Sequence, residues 1–217
     1  MNIVKVESLE DSISFSLEKI SNQVQNKEAF KVALTGGRFG KEFIKSLSVS
    51  SLDIASWIIF QTDERLLSHK NDVIQRMLLN SLSTSRGSEG CNFHFFNPNV
   101  SAEESFFYVA NTLDQYSIKE LDLCLLSLGE DGHLAGHFEI SETLLDKRFC
   151  GTDSAPKLPQ NRVSFDIKWL SQSKEVWLFV LGEAKQEALK RLMDGRGLHS
   201  QNLAKGNITV ITDLDIY

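Results

Sequence analysis

The sequence predicts an α/β domain built on a mostly parallel sheet with helices on both faces. Three observations predict it. Runs of β-type apolar residues alternate with segments of helical periodicity, the pattern of successive strand–helix–strand units. Some runs, such as Val176-Trp177-Leu178-Phe179-Val180-Leu181, are apolar at every position, as strands buried on both faces are. The chain has 217 residues, 41% of them hydrophobic, enough for one sizeable core. One domain over residues 1–217 is therefore expected, with no internal repeat and no linker.

The elements follow in order. Apolar residues at helical spacing predict a helix over Leu9 to Gln25, and a short apolar run predicts a strand over Lys31 to Leu34. A helix over Gly40 to Leu47, a strand over Ser56 to Gln61 and a helix over Asp72 to Leu82 come next. Ser81 to Gly90 is small and polar and reads as a mobile surface loop. It leads into a strand over Asn92 to Phe96. The helix over Ser101 to Gln115 opens with Ser101-Ala102-Glu103-Glu104, a capping-box pattern in which hydroxyl and carboxylate satisfy free backbone donors. Strands are expected over Asp122 to Leu128, Arg162 to Phe165, Glu175 to Leu181 and Asn207 to Thr212, with a helix over Ala184 to Met193. Gly151 to Gln160, carrying Pro156 and Pro159, reads as an ordered loop.

The formal net charge of −6 argues against a nucleic-acid or anionic-membrane binder, since both require a surplus of Lys and Arg. It leaves room for a small phosphate site. Cys91, Cys124 and Cys150 are odd in number, scattered, and form no CxxC pair, which argues against a disulfide framework or a cysteine-rich zinc site. Cys124 sits in an apolar run and is expected to be a small buried hydrophobe. Met1-Asn2-Ile3-Val4-Lys5-Val6 lacks a signal-peptide core, and no apolar run approaches the roughly 20 residues needed to span a bilayer. A reducing cytoplasm is the expected compartment.

In an open parallel sheet, ligands bind beyond the carboxyl ends of the strands, so the segments that follow strands are the candidates. Thr35-Gly36-Gly37-Arg38 combines two glycines, which let backbone N–H groups face an anion, with a cation and a helix start. Read alone, it is equally an ordinary strand-to-helix turn. Thr62-Asp63-Glu64-Arg65 places three charges at a strand end; Arg65 offers a planar fork for phosphate or carboxylate. Local sequence favours the plainer reading, a solvated loop with an internal ion pair.

Leu128-Gly129-Glu130-Asp131-Gly132-His133 and the following Leu134-Ala135-Gly136-His137-Phe138 are the richest stretch. A histidine can be neutral at cytoplasmic pH, so His133 is a candidate to take a proton from water. Asp131 either orients a catalytic group or holds the turn. His133 and His137 are four apart, but no glutamate of an HExxH pattern lies between them and no third ligand is evident, so a metal pair is not expected. Arg162-Val163-Ser164 and Gly182-Glu183-Ala184-Lys185 complete the set. Lys185 opens a helix, where its charge opposes the dipole unless an anion shares the site.

Taken in order, these segments resemble the 6-phosphogluconolactonase family, which carries a Gly-Gly loop, an Asp-Glu-Arg, an Asp-Gly-His loop, an Arg-x-Thr/Ser strand and a Gly-x-x-Lys helix start. The similarity spans about Phe30 to Asp213. It implies a three-layer αβα sandwich similar to the glucosamine-6-phosphate deaminase fold. It also implies hydrolysis of 6-phospho-D-glucono-1,5-lactone, a step of the oxidative pentose phosphate pathway, with no metal, nucleotide or other cofactor. On that resemblance the catalytic candidates are His133, Asp131 and Arg65, and the phosphate-binding candidates are Gly36, Gly37, Arg38, Arg162 and Lys185. The partner is a small sugar-phosphate lactone; the oligomeric state is open, with a monomer favoured.

Two stretches depart from the family pattern. Arg38-Phe39-Gly40 replaces Ser-Thr-Pro, and Leu134, Gly136, His137 and Glu139 replace Thr, Ser, Leu and Pro. Hydroxyl donors for phosphate are thereby missing, and Arg38 is the candidate substitute. Asn71 is a candidate match to a family asparagine. Two other readings stay open: an amino-sugar-phosphate deaminase/isomerase of the same fold, and a non-catalytic sugar-phosphate-binding protein.

Overall fold

The computed structural model describes residues 1–25, 27–67, 73–138 and 143–216. Its main sheet has seven strands: β1 (Asn2–Lys5), β2 (Phe30–Leu34), β3 (Trp57–Gln61), β5 (Asn92–His94), β6 (Leu123–Ser127), β10 (Glu175–Val180) and β11 (Ile208–Thr212). Their order is β1-β11-β10-β6-β2-β3-β5, and every neighbouring pair is parallel. From β2 the chain builds outward through β3 to β5. It then returns to the other side of β2 with β6 and builds outward again through β10. The reversal lies between β2 and β6, and a crevice opens beyond the carboxyl ends of strands at such a point.

Alternate residues of these strands feed two cores, which is why the strands read as continuously apolar. Val32, Leu125 and Phe179 pack against α1 (Leu9–Val24), α2 (Gly37–Ser48) and α3 (Ile74–Leu82) through Ile20, Phe43, Leu47 and Leu78. Ala33, Cys124, Leu126 and Leu178 face the other way, toward α4 (Ala102–Gln115), α5 (Ile167–Leu170), α6 (Gln186–Met193) and α7 (Ser200–Leu203). Each large side chain so buried contributes about 1.5–3 kcal/mol. Cys124 is the buried hydrophobe expected, and burial pushes its thiol pKa up.

The second face also carries a small antiparallel sheet of β4 (Asp63–Arg65), β7 (Thr143–Asp146), β8 (Phe149–Thr152) and β9 (Arg162–Phe165), in the order β4-β9-β8-β7. This corrects two expectations. Arg162 to Phe165 is a strand, but not of the parallel sheet: the connection from β8 is a short excursion over 153–161, too brief for a parallel crossover. Asp63-Glu64-Arg65 is not a solvated loop. The chain leaves the main sheet at Thr62, whose N–H still donates to Leu34 O at 3.0 Å while its carbonyl accepts from Phe165 N at 3.0 Å, and runs straight into β4.

Helix boundaries follow the cap chemistry. Ser8 Oγ accepts from Asp11 N at 3.1 Å to start α1, and Ser101 Oγ accepts from Glu104 N at 3.2 Å to start α4. Helix α2 begins at Gly37 rather than at Gly40, because Gly37 takes φ +71° and turns the chain directly from β2. A 3-10 turn, Glu183–Lys185, precedes α6. The expected loop from Ser81 to Gly90 holds the end of α3 and a 3-10 turn, Ser88–Gly90, and is tied down by Ile54 N donating to Arg86 O at 2.9 Å. The expected loop from Gly151 contains the end of β8. The expected helix start at Asp72, Asn71 and Glu139 lie outside the described residues.

Candidate active site

A cleft of about 890 Å³ opens at the carboxyl ends of β2, β6 and β10, within the size range of small-molecule sites. Gly36, Gly37, Arg38, Arg65, His133, Arg162 and Lys185 all line it. Asp131 lies behind His133, outside the lining.

The loop after β6 is shaped by its glycines. Gly132 N donates to Gly129 O at 3.0 Å and Gly129 N to His133 O at 2.9 Å, closing a tight turn in which Gly132 takes φ +91°. A Cβ on Gly129 would fall 2.1 Å from His133 Nδ1 and 2.6 Å from Asp131 Oδ1, so only glycine leaves room for the pair. Asp131 Oδ1 accepts hydrogen bonds from the His133 backbone N at 3.3 Å and from His133 Nδ1. Burial pushes the Asp131 carboxyl up, but the His133 hydrogen bonds and the Lys157 ammonium, 3.5 Å from Oδ2, outweigh it and hold the group below the usual carboxylate range. An ionised acceptor requires Nδ1 to carry the proton. In neutral His133 the lone pair is then on Nε2, the nitrogen able to act as a base.

His137 does something else. Its ring is 3% exposed, its Nε2 donates to Phe165 O at 2.9 Å, and Cys150 Sγ lies 3.4 Å from Nε2. It anchors the loop in the second core and shares no site with His133. No cluster of three or more His, Cys, Asp or Glu able to hold a metal ion occurs among the described residues.

Strand β4 sorts its charges by the period of two. Asp63 and Arg65 face the cleft. Glu64 points away, fully buried, and accepts from Ile74 N at 2.9 Å and Gln75 N at 2.6 Å at the start of α3, and from Gln61 Nε2 at 2.9 Å. Burial raises the Glu64 pKa despite these donors. Arg65 is in register opposite Arg162 of β9. Like charges directly opposite destabilise a sheet, and here they border a cleft that an anion can enter. Arg162 Nη2 donates to Lys157 O at 3.2 Å. Ser164, two residues on, accepts from Gly136 N at 3.2 Å and so ties this sheet to the His133 loop.

On the other wall, α2 presents its N-terminus beside Gly36 and Gly37. A Cβ on Gly36 would lie 2.8 Å from Ile74 Cδ1. Lys185 Nζ donates to Ser127 Oγ at 3.0 Å. Burial lowers the Lys185 pKa; Glu130 and Asp213 oppose that shift, while Arg38 and Lys157 add to it. Arg38 is exposed at the mouth. Sequence reasoning missed Lys157, Ser127 and Asp213, and gave Asp63 no role beyond its place in the Asp63-Glu64-Arg65 segment; all four line the cleft. Lys157 between Pro156 and Pro159 was the one with a visible signal, a cation in a rigid loop next to Arg162.

The family model described as glucosamine-6-phosphate isomerases/6-phosphogluconolactonase matches residues 6–208. A chloroplastic 6-phosphogluconolactonase 3 of Arabidopsis thaliana is 26% identical over 89% of this chain and 67% of its own length. The 6-phosphogluconolactonase 3 of Saccharomyces cerevisiae is 28% identical over 83% of this chain and 78% of its own. The chain thus spans about two thirds of the length of the plant relative. The crystal structure of a 6-phosphogluconolactonase from Shewanella baltica superposes with a TM-score of 0.83, covering 98% of this chain and 97% of that one at 17% identity, a likeness of fold.

Proposed function

The chain belongs to the glucosamine-6-phosphate isomerase/6-phosphogluconolactonase family, and on that premise we propose that it hydrolyses 6-phospho-D-glucono-1,5-lactone to 6-phosphogluconate. The observation that carries this reading is the Asp131–His133 pair at the edge of a cleft walled by Arg65, Arg162, Lys185 and Arg38.

The chemistry follows from those groups. Water attacks the lactone carbonyl carbon as Nε2 of His133 takes its proton. Asp131 holds Nδ1–H and stabilises the imidazolium that forms. The carbonyl oxygen gains the negative charge, and Arg65, which lines the same cleft as His133, is the donor assigned to it. The tetrahedral intermediate then expels the ring oxygen, which receives the proton back from His133. The ring is open, the acid ionises, and the histidine is neutral again. Arg162, Lys185, Arg38 and the α2 N-terminus at Gly36 and Gly37 hold the phosphate by charge-assisted hydrogen bonds.

Three free cysteines suit a reducing cytoplasm. Among the described residues no helix is long and apolar enough to cross a membrane. Freshly prepared 6-phosphogluconolactone and glucosamine 6-phosphate should be offered side by side. Acid release above the spontaneous rate with no ammonia supports the lactonase; ammonia release favours a deaminase, and binding without turnover of either favours a sensor.

A further inference from the structure

The imidazole of His133 is held on three sides. Asp131 takes Nδ1–H. The backbone of Gly129 crowds the Nδ1–Cε1 edge, where a Cβ would lie 2.1 and 2.2 Å from those atoms. The third side is the ring of Phe138, stacked at 4.5 Å between centroids with an interplanar angle of 26°. Phe138 is 7% exposed, so its ring has little freedom. It has a second charged neighbour: Arg162 Cζ lies 6.0 Å from its centroid, within cation–π reach. Arg162, 5% exposed, is a cleft-lining cation. A continuous series of contacts thus runs from the cleft-lining Arg162 guanidinium through Phe138 to the His133 imidazole.

We propose that Phe138 is a positioning residue that couples an anion at Arg162 to the orientation of His133, so that the phosphoryl group of the substrate raises turnover and not affinity alone. This rests on the reading of His133 as the base. A bound anion fixes Arg162, Arg162 fixes the Phe138 ring, and the ring fixes the plane in which Nε2 meets water. Binding energy from a part of the substrate remote from the carbonyl is thereby used for orientation at the carbonyl.

The test separates the substrate into pieces: unphosphorylated gluconolactone is hydrolysed with and without inorganic phosphate, after subtracting the buffer-catalysed rate. Phosphate should raise kcat of the wild-type protein roughly 3- to 10-fold, the range an aromatic stacking preference translates to, with KM for gluconolactone little changed. Phe138→Leu should lose that activation while still unfolding cooperatively, and Phe138→Tyr, which keeps the ring, should retain it. In the unaltered protein, phosphate should also shift the His133 ring ¹⁵N resonances, which covers the case of a leucine variant that does not fold. No phosphate activation of the wild type, or equal activation of Phe138→Leu, overturns the coupling. His133→Gln in the same assay distinguishes the two failures: full hydrolysis there removes the base reading itself, whereas lost hydrolysis beside an activatable Phe138→Leu removes only the coupling.

Discussion

Arg65 and Arg162 stand directly opposite each other across the β4–β9 ladder, two cations held on the same face of an antiparallel pair. Like charges so placed destabilise the pair, a cost that the proposed phosphate site would offset. Arg162→Gln should therefore lower kcat/KM for 6-phosphogluconolactone by about one to two decades, since hydrogen bonds to charged groups contribute about 1.5–3 kcal/mol. Unphosphorylated gluconolactone should lose far less. Equal losses on both lactones would move the phosphate site elsewhere.

Lys185 illustrates a site that costs stability. Burial depresses its pKa, so the unfolded chain binds that proton more tightly and this group's cost to folding shrinks as pH rises through the depressed value. Lys185→Met should raise the melting temperature at neutral pH while cutting kcat/KM for the phosphorylated lactone by roughly 10- to 100-fold. A variant that is both less stable and equally active would mean that the lysine supports the fold.

Asp122 is the opposite case. It sits at the amino ends of the central strands and accepts from Lys27 Nζ, Lys174 Nζ and Lys31 N, each at 2.9 Å. Burial pushes its pKa up, but these three donors outweigh burial and leave it lowered. A depressed carboxylate contributes fully above its unfolded value and loses that contribution as pH falls through the folded value. Asp122→Asn should cost about 1–3 kcal/mol at pH 7 by denaturant titration, the gap to wild type should narrow in acid, and KM should not change.

Much of this was legible in the chain. The apolar runs Leu123 to Leu126 and Val176 to Leu181 announce strands buried on both faces because they are too short for a helix and are bounded by polar residues or glycine. The His133 loop is legible because its glycines, acid and imidazole are local. Arg162 to Phe165 misled because a four-residue buried strand looks the same in either kind of sheet; only the length of its connection decides. Glu64 read as a surface charge because its partners, Ile74 N and Gln75 N, are distant in sequence and have no side-chain signature. His133 and His137 are four apart but share no site: positive φ at Gly132 and Ala135 turns the chain between them, and the two rings lie in different surroundings.

The central claim is that His133, oriented by Asp131, is the base. It is tested most directly by the rate of 6-phosphogluconolactone opening in His133→Gln, followed above the spontaneous background at neutral pH with the fold checked by circular dichroism. The account predicts a fall of roughly 10²–10⁴-fold, the usual worth of a positioned general base, with KM nearly unchanged. Hydrolysis at the wild-type rate by the folded variant would contradict it.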